Sequence, residues 1–576
     1  METKKLVLIF IFITSLLFVW EGWMKERERL DKLATSGPVT ENNPVSQQGP
    51  DSPPIPGDAL VSSQSSQDRS SGIDTVSTST GTPGTLPTKE QIKVITDMVI
   101  AEIDTAGGDL RKLELLKHPS RENKEIPYAL LHSDASQTSV AQSGLIGEGL
   151  PTHKTFYTLD SNVREYSLEV DQDKIEVRLV APRENEVQVT KIYTFNRGSY
   201  VIDVRFEIDN QSEEIVRPFA YFQMLRDSNP PAGATMMIPT YLGAAIYTED
   251  EKFQKIQFSD LDKNKADYPR NADNGWIAML EHYFLSAWLP PPKTPREYFA
   301  KRQNDNLYTA GVIAPVGAID PGKTTSISMP LYAGPQEQEK LAELAPGLEL
   351  TVDYSWLTVI AAPLFWLLSF YHEWVGNWGV AIILLTMTVK LLFFPLSAAG
   401  YRSMAKLRLV TPKLQRIQEQ YKSDRQQMHQ AMMELYKEEK INPLGGCLPI
   451  LVQIPVFIAL FWVILAAVEL RYAPFTLWIT DLSSPDPLYV MPLLMGISMF
   501  IQFKLNPKPT DPIQAKVLQI MPIAFSVFFF FFPAGLVLYS LVNNILSILQ
   551  QWQITRLYGQ PTNSDSATKK KSKEKQ

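Results

Sequence analysis

Cysteine and histidine are scarce in this sequence. A single cysteine, Cys447, stands among 576 residues, and the six histidines are scattered along the chain. One cysteine excludes a scaffold held by internal disulfides and any zinc or iron–sulfur site built from several cysteines. The chain also lacks HExxH, GxSxG and a GxGxxG that opens a helix. We therefore expect no enzyme: no catalytic residues, no metal and no cofactor.

Charge is divided unevenly between two parts of the chain. Residues 1–350 hold 35 Lys and Arg against 49 Asp and Glu, a net charge of −14. Residues 351–576 hold 20 against 13, a net charge of +7, and contain most of the long apolar runs. The overall apolar fraction of 44% therefore describes neither part. This division predicts an acidic, water-exposed part followed by a basic membrane part.

The first residues have the pattern of a membrane anchor. Lys4 and Lys5 precede an apolar run from Leu6 to Trp20. A cleavable signal peptide is the alternative, but the bulky residues at 20–23 do not suit the small-residue site that signal peptidase requires. We favour an uncleaved signal-anchor helix over 1–23 with its amino end in the cytoplasm. Residues 36–90 are rich in Ser, Thr, Pro and Gly, and we expect a disordered tether over 24–90.

Short β-rich runs dominate residues 91–345. The clearest are 191–195, 200–208, 256–258 and 326–332. In the second run, polar residues at 203, 205 and 207 alternate with apolar residues at 202, 204, 206 and 208. Alternation with a period of two predicts a strand with one buried face. We expect a large antiparallel β-sandwich here.

The last part of the chain predicts an α-helical polytopic membrane domain. Apolar runs predict spans at about 379–396, 447–468, 488–503, 517–532 and 534–552. The aromatic-rich segment before them is expected to lie flat on the outer interface, because a further crossing would put the basic loop and basic tail outside. With the anchor, this gives six spans and both termini inside. The expected divisions are an interfacial helix at 346–376, the second span at 377–396, a cytoplasmic hairpin at 397–442, spans three to six at 443–556 and a basic tail at 557–576.

Lys390 is the most informative residue of the predicted spans. A lysine in mid-membrane costs about 2.5–3.5 kcal/mol on insertion scales, so it points to a function. The alternative is that its side chain snorkels to the cytoplasmic headgroups. The predicted spans contain no Asp or Glu to pair with it. Together with polar side chains at similar depth, Lys390 predicts a hydrated, positively charged groove; the candidates are Thr386, Gln453, Tyr539, Ser540 and Asn543. Taken singly, each polar residue is more typical of interhelical hydrogen bonding.

The basic loop between the second and third spans has helical periodicity. Apolar residues at 407, 410, 414, 417 and 421, then at 428, 432 and 435, recur at spacings of three and four. This pattern predicts an antiparallel helical hairpin closed by an apolar seam. Its other side chains are candidates for contacts with nascent chains, ribosomes or lipid headgroups: Met404, Lys406, Arg408, Met428 and Met433. The lysine run of the tail is either a topology signal or a contact with ribosomal RNA.

Several stretches resemble the YidC-type membrane protein insertases of Gram-negative bacteria. In the membrane part they are VGNWG (375–379), SMAK (403–406), KINPLGGCLP (440–449), VELRYAPF (468–475), WITDL (478–482) and FPAGLVLY (532–539). In the outer part they are GWIAMLEHYF (275–284), YAGP (332–335) and LTVDY (350–354). The similarity covers the whole chain except the tether.

The resemblance implies a non-enzymatic insertase and chaperone of the inner membrane. In that family, a groove open to cytoplasm and lipid holds a positive residue that binds the polar end of an incoming membrane protein. Lys390 falls at this position, where Arg is common, and therefore keeps the charge without the five-donor guanidinium fork. Ser540 stands where relatives often have a second aromatic residue. The implied partners are nascent membrane proteins, the SecYEG and SecDF translocon, membrane lipids and, through the tail, the ribosome. A periplasmic β-super-sandwich is implied for the outer domain.

Two other functions remain open from the residues alone. A secondary transporter or channel with a periplasmic binding domain also needs polar groups in its spans, but it usually carries intramembrane carboxylates and inverted repeats. A membrane-anchored carbohydrate-active enzyme would use the outer sandwich, with an aromatic sugar platform formed by Trp276, His282, Tyr283 and Trp288. Paired carboxylates for that chemistry are not evident, and core packing explains the aromatic residues better.

Overall fold

Two units make up the described part of the chain, one ending at Asp353 and the other beginning at Tyr354. The computed structural model describes residues 86–134, 137–231, 241–304, 306–354, 357–421, 424–439, 448–505 and 512–558. The expected anchor at 1–23, nearly all of the tether, Cys447 and the lysine run of the tail lie outside these residues.

The first unit is built almost entirely from strands. In chain order they are β1 Gln91–Ile95, β2 Val99–Asp104, β3 Asp109–Pro119, β4 Pro127–Ser133, β5 Thr138–Ile146, β6 Thr158–Leu159, β7 Glu165–Ser167, β8 Lys174–Val180, β9 Val187–Asn196, β10 Val201–Asn210, β11 Phe219–Asp227, β12 Gly243–Thr248, β13 Lys252–Ile256, β14 Asn271–Ala272, β15 Trp276–Leu280, β16 Phe284–Trp288, β17 Arg296–Asn304, β18 Leu307–Pro315 and β19 Lys323–Pro335. Two short helices, α1 (Phe258–Asp262) and α2 (Gln338–Leu344), and a 3-10 turn at Leu348–Thr351 complete it.

These strands form two sheets that pack face to face. One sheet has ten strands in the order β14-β17-β18-β11-β5-β4-β3-β2-β1-β7, and the other has nine in the order β13-β12-β15-β16-β19-β10-β9-β8-β6. Apart from the parallel pair β1 and β7, the recorded strand pairs are antiparallel. Phe206 of β10 meets Phe222 of β11 across the interface, with ring centroids 5.9 Å apart. This arrangement confirms the all-β sandwich expected for the outer domain.

Strand β10 shows how the sequence pattern produces this packing. Its even-numbered residues from Ile202 to Ile208 are buried and its odd-numbered residues are partly exposed, as the alternation predicts. The run at 256–258 behaves differently from the prediction. β13 ends at Ile256, and Phe258 begins helix α1, where its ring stacks on Tyr308 at 4.2 Å. A tertiary aromatic contact therefore overrides the local strand pattern.

One stretch at 317–324 matches the pattern GxxxxGK[ST] of phosphate-binding loops. That motif binds phosphate only where it connects a strand to the start of a helix. Here the stretch ends in a turn, and Lys323 begins β19, so Thr324 pairs with Asp209 of β10. The match therefore has none of the geometry of a nucleotide site.

The second unit is helical. Its helices are α3 Thr358–Val375, α4 Trp378–Leu392, α5 Phe394–Gln420, α6 Arg425–Glu438, α7 Leu448–Ala466, α8 Val490–Leu505, α9 Pro512–Phe529 and α10 Ala534–Tyr558, with a 3-10 turn at Val468–Leu470. Helix α3 lies within the segment expected as an interfacial helix. It buries Ala361, Phe365 and Leu368 and exposes Trp366 and Trp374.

No single helix in the described ranges is both long enough and apolar enough to count by itself as a membrane span. Helices α4 and α5 meet that test together, with a bend of 66° between them. Shorter apolar helices are found at Gln453–Ala466, Val490–Leu505 and Gln519–Phe529. The number of six spans therefore stays a prediction.

The bend after α4 differs from the continuous span expected at 379–396. Pro395 occupies the first turn of α5, where its missing N–H costs nothing, whereas within a continuous helix its ring would clash with the preceding turn. Helix α4 therefore ends at Leu392, and α5 begins at Phe394 and runs into the predicted hairpin.

Helices α5 and α6 pack through an apolar seam. Val410, Leu414 and Leu435 are buried there, with partly buried residues around them: Leu407, Ile417, Met432 and Tyr436. Asp424 caps α6 by accepting hydrogen bonds from the N–H groups of Gln426 and Gln427. The spacing of three and four residues in the sequence thus corresponds to the face along which the two helices meet.

Candidate functional site

Helix α4 carries Lys390 and is fixed firmly at its first turn. Asn377 caps the helix by accepting a hydrogen bond from the Val380 N–H, and its amide donates to the Phe475 carbonyl at 3.0 Å. Gly379 is required beside that loop, because a Cβ there would lie 2.0 Å from the Phe475 ring. The segment 467–489, which joins α7 to α8, therefore holds this end of α4 in place.

The same loop is stabilised by two of its own carboxylates. Asp481 accepts hydrogen bonds from the N–H groups of Tyr472 and Ser483. Asp486 accepts from the Trp478 indole at 2.9 Å and from the Met491 N–H at 2.8 Å. Since both carboxylates are satisfied by local donors, they hold the loop's shape and are not directed toward Lys390.

Lys390 lies in the last turn of α4, beside a pocket at the bend. The pocket and its opening to solvent together comprise about 330 Å³ of unoccupied space. Its lining comes from α4, the bend, α5, α7 and α10, namely Val389, Lys390, Phe393, Leu396, Ser397, Gln453, Val456 and Asn543. Three of the expected groove residues, Lys390, Gln453 and Asn543, are therefore brought together from three helices.

The Lys390 amine has a defined partner across the pocket. Its Nζ donates to the Ser547 Oγ at 2.7 Å, and the Ser547 hydroxyl donates to the Asn543 carbonyl at 2.7 Å. Helices α4, α7, α8, α9 and α10 contain no Asp or Glu. The ammonium group therefore contacts a hydroxyl, and these helices supply no carboxylate to neutralise it. The pocket keeps a net positive charge.

The other three expected groove residues do not line the pocket. The Thr386 and Ser540 hydroxyls donate to carbonyls of their own helices, those of Ile382 and Leu536. Tyr539 is only 1% exposed and packs near the Phe457 ring, and its hydroxyl lies behind the pocket, next to the Gln453 side chain. These side chains are buried between helices and do not line the pocket, which agrees with the alternative of interhelical packing.

Sequence reasoning missed Ser547 and Ser397. A signal for Ser547 was available, because it follows Asn543 by four residues and therefore shares its helix face. Asn544 on the neighbouring face donates to Ser498 of α8 at 2.7 Å. Helix α10 thus presents polar groups to α4 and to α8 along adjacent faces.

The hairpin residues named as contact candidates form no part of this pocket lining. Lys406 and Arg408 are exposed, and the Met433 side chain is 53% exposed. Met404 and Met428 are half-buried. Lys406, Arg408 and Met433 therefore lie on the outside of the hairpin, whereas Met404 and Met428 are only partly accessible.

Three of the four residues suggested as a sugar platform are buried, and the fourth, His282, is partly buried against the Tyr283 ring. Trp276, Trp288 and Tyr283 are each less than 5% exposed and belong to the core. The Trp276 ring stacks near Tyr247, and its indole donates to the Pro346 carbonyl. Core packing therefore accounts for these residues. In the described ranges, no cluster of three His, Cys, Asp or Glu residues is arranged to hold a metal.

A buried charged cluster lies between the two sheets and was not expected. Lys191 of β9 is fully buried and donates to the carbonyls of Gly107 and Ser143 at 3.3 and 3.2 Å. Asp109 accepts from the Gln142 amide at 2.9 Å, and Arg111 lies 3.4 Å from its carboxylate. Burial raises the pKa of Asp109 to about 6 and lowers the pKa of Lys191 to about 8. The cluster joins the sheets through hydrogen bonds and charge.

The matches to known proteins cover both units. Residues 91–367 match the family model of the YidC periplasmic domain, and residues 370–561 match that of the 60Kd inner membrane protein. A membrane protein insertase YidC of Nitrosomonas europaea is 68% identical over 98% of this chain and 92% of that protein. Its counterpart in Nitrosospira multiformis is 64% identical over 97% of each chain.

One solved structure, described as an active YidC insertase with its first transmembrane domain resolved, aligns with 83% of this chain and 94% of its own. Its sequence identity is 18% and its TM-score is 0.38. The long, highly identical relatives and the two family models decide the assignment. The chain belongs to the YidC family of membrane protein insertases.

Proposed function

We propose that this chain, a bacterial inner-membrane insertase with a periplasmic domain, receives the acidic end of a nascent membrane protein at Lys390. The observation that carries the proposal is the contact of the Lys390 amine with the Ser547 hydroxyl in a pocket shared with Gln453 and Asn543. A carboxylate binds an ammonium group more strongly than a hydroxyl does, and the two Nζ donors of Lys390 that Ser547 does not use can meet a substrate carboxylate.

The driving force comes from the substrate. A span of about 20 apolar residues gains roughly 25 cal/mol per Å² when it moves from water into lipid. The barrier is the transfer of the short polar end across the hydrocarbon layer, where polar groups lack hydrogen-bond partners. A pocket that offers a positive charge and polar side chains lowers this barrier, and the insertase therefore needs no cofactor or nucleotide.

The proposed arrangement in the membrane has six spans. They are the anchor at 1–23, the apolar part of α4 with the bend, and α7, α8, α9 and α10. Both termini and the hairpin at 397–442 lie in the cytoplasm, and the sandwich at 91–345 lies in the periplasm. Helix α3 rests on the periplasmic interface, with its exposed tryptophans among the headgroups. The distribution of Lys and Arg supports this orientation.

We also propose partners for the two basic segments and the sandwich. The exposed Lys406, Arg408 and Met433 of the hairpin contact nascent chains and anionic headgroups. The basic tail contacts the ribosome, since phosphate-rich RNA attracts clustered lysines. The sandwich, together with the membrane part, contacts the SecYEG and SecDF translocon for substrates that need it, whereas short substrates are inserted by this chain alone.

Insertion into proteoliposomes tests the proposal. The substrate is a single-span protein with an acidic amino-terminal tail, and the insertases are wild type, Lys390→Ala, Lys390→Arg and Lys390→Glu. We expect insertion to be kept by Arg, lowered about tenfold by Ala and abolished by Glu, because the last repels the tail. Protease protection of the tail measures the inserted fraction.

Lys504→Ala is the matched control, since Lys504 is an exposed lysine at the end of α8 that lies outside the pocket. Its insertion should equal wild type. Equal insertion by the three Lys390 variants and wild type would contradict the role of the charge and favour the snorkelling alternative.

A further inference from the structure

We propose that Ser547 is the residue that holds the Lys390 amine inside the pocket, and that it thereby positions the charge for the substrate. This inference rests on the proposed function of Lys390 and deepens it. It assigns the placement of the charge to a second residue, on the helix that faces α4 across the pocket.

The hydroxyl of Ser547 is oriented as an acceptor. A serine hydroxyl has one proton to donate and two lone pairs that accept. Its proton is used in the hydrogen bond to the Asn543 carbonyl, four residues earlier in α10. A lone pair is therefore left for the Lys390 ammonium, whose Nζ lies 2.7 Å away, and the Tyr401 hydroxyl is a second polar neighbour of the same oxygen. Because Ser547 is 5% exposed, water has little access to compete for this acceptor.

Lys390 needs such an anchor because its side chain is long and flexible. It stands in the last turn of α4, from which a four-carbon stem can extend toward the headgroups and carry the amine out of the pocket. The ammonium has three donors, so one can stay on Ser547 while the others meet a substrate carboxylate. A fixed amine also loses less conformational entropy when the substrate binds.

The positioning role predicts an effect that depends on the substrate's charge. Removal of the hydroxyl in Ser547→Ala leaves the lysine in place but frees its amine. Insertion of an acidic-tailed substrate should then fall about tenfold, at the low end of what a hydrogen bond to a charged group contributes. Insertion of the same span with a neutral Asn-containing tail should stay within about twofold of wild type, because that tail does not use the charge.

The experiment measures insertion of both substrates into proteoliposomes by wild type, Ser547→Ala, Ser547→Thr and Ser526→Ala. Thr keeps a hydroxyl and should restore the insertion of the acidic-tailed substrate. Ser526 is the matched control, since its hydroxyl also bonds across helices, to the Pro492 carbonyl at 3.1 Å, but lies outside the pocket. The double variant Lys390→Ala/Ser547→Ala should be no more defective than Lys390→Ala, because Ser547 acts only through the Lys390 amine.

The outcomes separate this inference from the proposal on which it rests. Equal loss of both substrates in Ser547→Ala, or failure of Thr to restore insertion, would make Ser547 a packing residue and overturn its positioning role. If Lys390→Ala is defective while Ser547→Ala matches wild type, only the positioning role fails. Wild-type insertion by Lys390→Ala removes the proposed function, and the role of Ser547 with it.

Discussion

The buried ring of His153 makes the stability of the periplasmic sandwich depend on pH. Its Nδ1 lies 2.6 Å from the Tyr221 hydroxyl, and its backbone N–H donates to the same oxygen. Burial lowers the pKa of His153 from 6.5 to about 4, so the folded domain favours the neutral ring. Its contribution to stability is present above pH 6.5 and is lost as pH falls toward 4.

Asp109 acts in the opposite direction. Its raised pKa means that the folded domain favours the protonated carboxyl, so its contribution to stability grows as pH falls from about 6.

We expect His153→Gln to make the sandwich relatively more stable at pH 5 than at pH 7, by on the order of 1 kcal/mol. Asp109→Asn should have the opposite effect and make the sandwich relatively less stable at pH 5 than at pH 7. Hydrogen exchange of β9, compared between each variant and wild type at the same pH in the full chain, measures both effects. Parallel behaviour of the two variants would contradict the assignment.

The buried cluster also shows what residue patterns can and cannot predict. The sequence predicted a strand at 191–195, and β9 covers it. Lys191 is in phase with Tyr193 and Phe195, which are buried, and this is the sequence signal of a lysine inside the sandwich. Its partners Asp109 and Ser143 come from the other sheet, and pairing between sheets follows from topology that single-strand periodicity does not contain.

At the scale of elements, the hairpin depends on its seam. Leu414 is 3% exposed between α5 and α6, so Leu414→Ala should destabilise their packing by about 2–5 kcal/mol. Faster hydrogen exchange of α6 in the full chain measures the loss. Leu409→Ala is the matched control, because Leu409 lies on the same helix and is 47% exposed. Its effect should stay within about 0.5 kcal/mol, and equal acceleration by both variants would contradict the observed seam.

Elements differ in how far their sequences determine them. The spacing of apolar residues was sufficient to identify the face along which α5 and α6 meet, because that contact is local in the chain. The bend at Phe393 was readable from Pro395, but the hydropathy of the surrounding run concealed it. The pocket itself required the packing of α4, α7 and α10. The sequence therefore supplied Lys390, Gln453 and Asn543 as candidates but could not separate them from Thr386, Tyr539 and Ser540.

At the scale of the whole molecule, the six-span arrangement predicts which surfaces are reached from each side. In a Cys447→Ser background, single cysteines at Val163 and Leu477 should react with an impermeant thiol reagent in intact spheroplasts. Cysteines at Leu409 and Ser564 should react only after the membrane is opened. Val163, Leu409 and Leu477 are exposed, so burial within the protein does not limit their labelling. Labelling of a cysteine at position 409 in intact spheroplasts would contradict the proposed orientation.

If the charge at residue 390 selects the polar end of the substrate, an exchange of that charge should reverse the selection. Two single-span substrates that differ only in an acidic or a basic tail are offered to wild type and Lys390→Glu, in proteoliposomes without a membrane potential. We expect wild type to favour the acidic tail and Lys390→Glu to favour the basic tail, since attraction across the pocket depends on opposite signs. An unchanged preference in Lys390→Glu, with insertion intact, would show that the charge at residue 390 does not select the polar end.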